Sequence, residues 1–173
     1  KQRGEIARFY GMIENVDANM GRLMAKLDEW GIAEDTLVVF TTDNGTAHGE
    51  RVFNDGMRGK KGTPWRGGTR VPCLWRWRGT LPAGVDVPAV TAHVDVLPTL
   101  CELAGAAIPP EVAAKLEGRS LVPLLGDASA AWPDRPLVTH VGRWKQGAAD
   151  ASKLDTCRIR EGDRKSTRLN SSH

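Results

Sequence analysis

Cysteine is scarce in this sequence, and long apolar runs do not occur. The three cysteines among 173 residues, Cys73, Cys101 and Cys157, are far apart and odd in number. That excludes a disulfide framework, and no Cys-x-x-Cys or Cys/His spacing suggests zinc, so buried thiols are the expectation. No apolar stretch approaches the ~18 residues of a membrane span. The opening residues, Lys1-Gln2-Arg3-Gly4-Glu5, have no apolar core behind them and no initiator methionine. No signal peptide is visible there, and the chain reads as truncated at its start. Internal repeats are lacking as well. Collagen, a disulfide knot, a coiled coil and an integral membrane protein are excluded together.

An excess of one charge is also lacking. The formal net charge is +3, but 163–173 (Asp163, Arg164, Lys165, Arg168 and polar residues) supplies +2 of it. That stretch has no hydrophobic period and reads as a non-native or disordered tail. Residues 1–162 then carry +1, which gives no electrostatic reason for nucleic acid to bind. The composition of all 173 residues, 40% apolar and 26% charged, is ordinary for one soluble globular domain.

Periodicity then places elements. Ile6, Phe9, Tyr10, Ile13, Val16, Met20, Leu23, Met24, Leu27 and Trp30 recur at three- and four-residue steps. They predict one helix of six or seven turns, closed by Gly31. The run 36–42, Thr-Leu-Val-Val-Phe-Thr-Thr, is apolar without alternation, as in a strand buried on both faces of a parallel sheet. Residues 46–70 have no period, and a loop that long is usually functional or disordered. Residues 71–78 alternate, with Val71, Cys73, Trp75 and Trp77 on one face. Asp95 suits the N-cap of a helix over 96–104, ended by Gly105. A short helix is expected over 111–116, an apolar turn over 121–125 and a strand over 136–141.

Candidate chemistry gathers after the first strand. Asp43-Asn44-Gly45 is by itself a favoured turn. At the carboxyl end of a buried strand it also offers a carboxylate and an amide oxygen to a hard cation. Arg58-Gly59-Lys60-Lys61-Gly62-Thr63 is no Walker loop, since Asn54 stands at the first glycine position and Gly62 follows the lysine. It is a solvated basic loop or a cradle for a tetrahedral oxyanion. Trp75-Arg76-Trp77-Arg78 could stack on single-stranded nucleic acid, but a strand with one packed face explains the same spacing. His48 lies close enough to Asp43 and Asn44 to neighbour a site. His93 reads as structural, and His140 is given no role.

Taken in order, these segments closely resemble the arylsulfatase-type sulfatases of the alkaline-phosphatase-like superfamily. The resemblance rests on 9–17, on Thr42-Asp43-Asn44-Gly45, on the Gly-x-Lys-Gly and Gly-Gly-x-Arg-x-Pro pattern within 57–72, on 94–100 and on 118–125. It implies an α/β fold, a mostly parallel sheet flanked by helices, present as an incomplete fragment over 1–162. It implies that Asp43 and Asn44 are metal ligands, for calcium or alternatively magnesium, and that Lys61 holds the sulfate. The family's nucleophile is a formylglycine made in a Cys/Ser-x-Pro-x-Arg motif. No residue here stands in that motif, so the nucleophile and the remaining ligands are expected in an N-terminal part, and the fragment alone is expected to be inactive. Arg66 stands where the family has Glu, which would alter the local geometry of the anion loop.

The resemblance implies a sulfuric ester hydrolase acting on a small-molecule or carbohydrate sulfate ester, with no nucleic-acid or membrane partner. It implies a periplasmic or secreted location and leaves the oligomeric state open. The alternatives are a phosphodiesterase or phosphonate hydrolase of the same superfamily, or a non-catalytic degenerate binding protein.

Overall fold

The computed structural model describes residues 2–142, 144–152, 155–162 and 164–168, with side chains for 3–142, 144–152 and 155–162. The described residues divide into two compact units, one drawn from 2–80, 138–159 and 165–168, the other from 81–137 and 160–164.

In the first unit the apolar period forms helix α1 (Gln2–Glu29). Its end is a Schellman motif. Gly31 takes φ +68, the Ile32 N–H donates to the Leu27 carbonyl, and the Gly31 N–H donates to the Asp28 carbonyl. Glycine tolerates that left-handed turn, and the two bonds satisfy carbonyls that the helix leaves unpaired. Of the apolar stripe only Leu27 is buried, while Tyr10, Ile13, Val16, Leu23 and Trp30 stay exposed.

Strand β1 (Val38–Thr41) pairs with β2 (Cys73–Arg76). Val38 faces Arg76 and Thr41 faces Cys73, in antiparallel register. The expected mostly parallel sheet is not confirmed by this pair, the one whose register is described. A parallel partner needs a crossover, usually a full helix, and the segment between these strands holds only a three-residue helical turn (Gly49–Arg51) and the four-residue helix α2 (Arg66–Thr69). The chain therefore folds back beside β1. Burial on both faces is not found either. Val38, Val39 and Phe40 are half-buried and Thr41 is exposed, because no described element covers both faces. Cys73 is exposed and Cys101 half-buried, so the expectation of buried thiols holds only at Cys157. Beyond β2, Arg78 pairs with Asp28 at 2.5 Å and the Trp77 indole donates to the Glu34 carbonyl at 2.7 Å. Arg78 thereby compensates an acidic side chain placed at the unfavourable end of the α1 dipole.

The second unit is organised around Asp95, which has no exposed surface. A three-residue turn, His93–Asp95, leads into α3 (Val96–Leu103), followed by α4 (Pro110–Ala113) and α5 (Val122–Gly126). Asp95 stands at the expected N-cap position, yet its carboxylate does not cap α3. It accepts from the Ala92 N–H at 2.8 Å, from the Arg119 N–H at 2.9 Å, and from the Arg135 guanidinium. Thr99 continues the network. Its hydroxyl donates to the Asp95 carbonyl at 2.5 Å and accepts from the Leu121 N–H at 2.8 Å. Leu121 and Leu124 are the buried apolar residues beside it.

Strand β3 (Leu137–His140), helix α6 (Ala149–Ser152), and strands β4 (Cys157–Glu161) and β5 (Arg164–Arg168) follow. The three strands form a sheet in the order β3-β4-β5. Of the expected tail, 164–168 is thus a strand, and Asp163 and 169–173 lie outside the described residues. Among the described residues no helix is long and apolar enough to cross a membrane.

Candidate functional site

The site begins where β1 ends. The Thr42 hydroxyl donates to the Asn44 carbonyl at 3.1 Å and bends the chain immediately after the strand. Asp43 is exposed on this bend and Asn44 half-buried. The next two residues meet the long loop. The Gly45 N–H donates to the Gly68 carbonyl at 3.0 Å, and the Lys61 N–H donates to the Thr46 carbonyl at 2.8 Å. A side chain at Gly45 would strike the Gly67 carbonyl, so glycine is required for two backbone segments to approach this closely.

The aperiodic loop, expected to be functional or disordered, is internally tied. The Gly67 N–H donates to the Arg58 carbonyl at 2.8 Å, and the Asn54 amide donates to the Met57 and Gly59 carbonyls at 2.7 and 2.9 Å. Between these points lies the turn carrying Lys61. The Thr63 hydroxyl donates to the Lys60 carbonyl at 2.7 Å and accepts from the Lys60 N–H at 3.1 Å. Gly59 and Gly62 supply φ values of +83 and +80 on either side. The Arg58 guanidinium lies over the Trp65 ring, 3.8 Å from its centre, a cation–π contact that pins the base of the turn. Below it, buried Arg158 donates to the Pro64 carbonyl at 3.5 Å.

The structure therefore brings Asp43, Asn44 and Lys61 onto one assembly, joined through Thr46. Lys61 is exposed, and His48 is exposed at the start of the Gly49–Arg51 turn. Arg66 opens α2. The Arg70 N–H donates to the Arg66 carbonyl at 2.8 Å, and the Arg70 guanidinium lies 3.6 Å from the Asp55 carboxylate. Here the loop is tied by backbone bonds and by the Asn54 and Thr63 side chains.

Sequence reasoning placed Lys60 in the basic loop but missed its partner Glu50 and the tie made by Asn54. Lys60 donates to Glu50 Oε1 at 3.0 Å, and that bond holds the Glu50 carboxyl below its ordinary value of 4.5. A carboxylate ten residues from a lysine, across an aperiodic loop, leaves no local pattern to find. Asn54 was findable in principle, since Asn-Asp-Gly favours a turn with side-chain-to-backbone bonds.

As a metal site this assembly fits in donor chemistry and falls short in number. Asp43 and Asn44 offer the oxygen donors that calcium or magnesium takes. Among the described residues no group of three or more His, Cys, Asp or Glu could hold a metal.

Known proteins carry the same pattern. The sulfatase family model matches residues 1–106. Steryl-sulfatase from Mus musculus is 47% identical over 154 residues, covering 79% of this chain and 24% of that protein. Arylsulfatase A from Homo sapiens is 40% identical over 120 residues, covering 68% of this chain and 23% of that protein. The crystal structure of Ps i-CgsB in complex with k-i-k-neocarrahexaose superposes with a TM-score of 0.75 at 27% identity, over 94% of this chain and 34% of that one. A structure of BT4656 with D-glucosamine-2-N,6-O-disulfate shares the fold at a TM-score of 0.67 and 23% identity. The chain spans about a quarter of the length of the steryl- and arylsulfatases it matches. With an alkaline-phosphatase-like fold in common with these structures, and the family model running through α1, β1 and the loop docked on Gly45 and Thr46, the chain belongs to the sulfatase family.

Proposed function

We propose that the protein containing this chain hydrolyses sulfate monoesters, and that this chain supplies its oxyanion loop and part of its metal site. The observation that carries the reading is the docking of the Lys61 turn on Thr46, two residues from Asn44. A sulfate ester is an anion, and its hydrolysis builds negative charge on the leaving oxygen. A lysine fixed by a rigid turn stabilises that charge with little reorganisation when the bond breaks. Lys61 is that lysine in this reading. Lys60, paired to Glu50, and Arg58, stacked on Trp65, are already engaged.

Asp43 and Asn44 would hold a calcium ion, or magnesium in its place, and the bound cation would supply Lewis acidity toward the sulfate oxygens. The chain holds no Cys or Ser in a Cys/Ser-x-Pro-x-Arg context. The attacking group, a formylglycine in this reading, comes from another part of the protein. In that whole, β1 is an inner strand of a larger, mostly parallel sheet. The substrate is a sulfate ester of a ring alcohol, carbohydrate, steroid or phenol, which the names of the relatives support. A periplasmic or secreted location belongs to the same reading and rests on family resemblance.

The test uses the full-length protein with para-nitrophenyl sulfate, the matching phosphate monoester and a phosphodiester. Preferential turnover of the sulfate is expected, lost with a calcium chelator and restored by calcium. Preference for the phosphodiester would move the protein to phosphodiester chemistry. Calcium binding without turnover of any ester would make it a binding protein.

A further inference from the structure

The turn that carries Lys61 rests on a buried cation. Arg158 is 5% exposed, next to buried Cys157 on β4. β4 is the middle strand of the β3-β4-β5 sheet, paired along both edges, so its backbone is a firm base. Taking a guanidinium out of water is costly, and an apolar side chain of similar length would fill the same space at less cost. What the N–H groups hold is then the reason for the cation. The Arg158 guanidinium donates to the Pro64 carbonyl at 3.5 Å, across 94 residues of sequence. Pro64 is itself fully buried.

Pro64 is the foot of the turn that presents Lys61. The Thr63 hydroxyl, one residue before it, donates to the Lys60 carbonyl and accepts from the Lys60 N–H, which closes a ring around Lys61 and Gly62. The Thr63 N–H donates to the same carbonyl at 3.0 Å. One residue after Pro64, the Trp65 carbonyl accepts from the Gly68 and Thr69 N–H groups at 2.8 and 3.1 Å. A methyl at Gly68 would strike the carbonyls of Lys60 and Thr63, so the ring lies directly against the backbone of α2. Groups packed this closely transmit strain, and a shift at Pro64 reaches Lys61. The Lys61 N–H holds the ring to Thr46, and Arg158 holds its foot to β4.

We propose that Arg158 is a positioning residue for sulfate ester hydrolysis, which braces the turn at Pro64 and so fixes where the Lys61 ammonium stands. The proposal deepens the sulfatase reading and rests on it for the role of Lys61. Lys61 stabilises charge that builds as the ester bond breaks, so its placement bears on the transition state and shows in kcat more than in KM.

The test is a double-mutant cycle on the full-length protein with para-nitrophenyl sulfate. Arg158→Met keeps the length of the side chain and removes the donor. It is expected to lower kcat ~10–100-fold and to change KM less than ~3-fold, as a small misplacement of a catalytic group does. Arg158→Lys, which can still donate one bond, is expected to recover most of the loss. In a Lys61→Ala background, Arg158→Met is expected to cost less than ~2-fold, because the group it positions is gone. A second arm follows amide exchange in the same proteins and needs no turnover. Exchange over 58–68 is expected to accelerate in Arg158→Met, with 12–27 in α1 unchanged. If Arg158→Met is not recovered folded, Arg158→Gln, polar and uncharged, takes its place in both arms.

Losses that multiply in the double variant overturn the proposal, since Arg158 would then act without Lys61. Wild-type kcat in Arg158→Met overturns it as well. So does exchange that accelerates equally in α1 and in the loop, which would make Arg158 a support of the whole unit. Faster exchange confined to the loop, in a protein whose wild type turns over no sulfate ester, leaves the brace standing and removes the sulfatase reading instead.

Discussion

Lys61 and its neighbours show how much chemistry depends on single positions. Lys61→Ala in the full-length protein is expected to lower kcat/KM on an aryl sulfate by ~10²–10³-fold, the range seen when one oxyanion donor is removed. A loss under tenfold would mean that another cation carries the charge. The glycines make a sharper contrast. A methyl at Gly67 would strike the Gly59 carbonyl and approach the Asn54 amide at 2.7 Å, whereas at Gly11, inside α1, it would meet nothing within 4 Å. In urea unfolding of this chain, Gly67→Ala should cost ~1–3 kcal/mol and Gly11→Ala should add ~0.5–1 kcal/mol. Equal effects at the two positions would contradict the docked loop.

Glu50 adds a pH dependence whose sign follows from its depressed carboxyl. Its contribution to loop order is present above the ordinary value of 4.5 and is lost as pH falls through the lowered folded value. Amide exchange over 58–63 should therefore accelerate below about pH 4.5 in wild type and show no such step in Glu50→Gln. These residues were unevenly legible. Asp43 and Lys61 stand in short contiguous motifs, while Glu50 acts through a contact made only when the loop folds back.

At the scale of elements, α1 is the best case for sequence reasoning and Asp95 the most instructive. The α1 stripe and its Gly31 stop are local properties, set by a 3.6-residue period and one left-handed residue, and the helix forms where the pattern places it. Asp95 was equally visible just before α3. Its carboxylate turns instead toward Ala92, Arg119 and Arg135, partners between 3 and 40 residues away. Removing one member of a buried, hydrogen-bonded ion pair strands the other. Asp95→Ala should thus destabilise the second unit by ~3–5 kcal/mol, followed by the fluorescence of Trp132, whose indole donates to the Val90 carbonyl. A loss below ~1 kcal/mol would show that water satisfies Arg135 as well as Asp95 does. The β1–β2 pair is the complementary lesson. Two apolar segments were identified as strands, but their direction depended on how residues 42–72 return.

For the molecule as a whole, the relation to its relatives sets the expectation. This chain holds Asp43, Asn44 and Lys61 but no residue in the nucleophile motif. The 173-residue chain by itself is expected to leave para-nitrophenyl sulfate intact over hours, with or without calcium, while the full-length protein turns it over. Sulfate release by the chain alone would place a nucleophile among the residues described here and undo the assignment of roles.

By itself the sequence determined what short-range physics can encode: the extent and stop of α1, the β character of 38–41 and 73–76, and the family to which the ordered motifs belong. Only the tertiary structure decided the antiparallel pairing, the docking of the loop on Gly45 and Thr46, the pairing of Lys60 with Glu50, and the inward turn of Asp95. Each of these joins residues distant in sequence through backbone groups or charges whose partners no local period reveals. They form because buried polar groups must find partners once the chain has closed on itself.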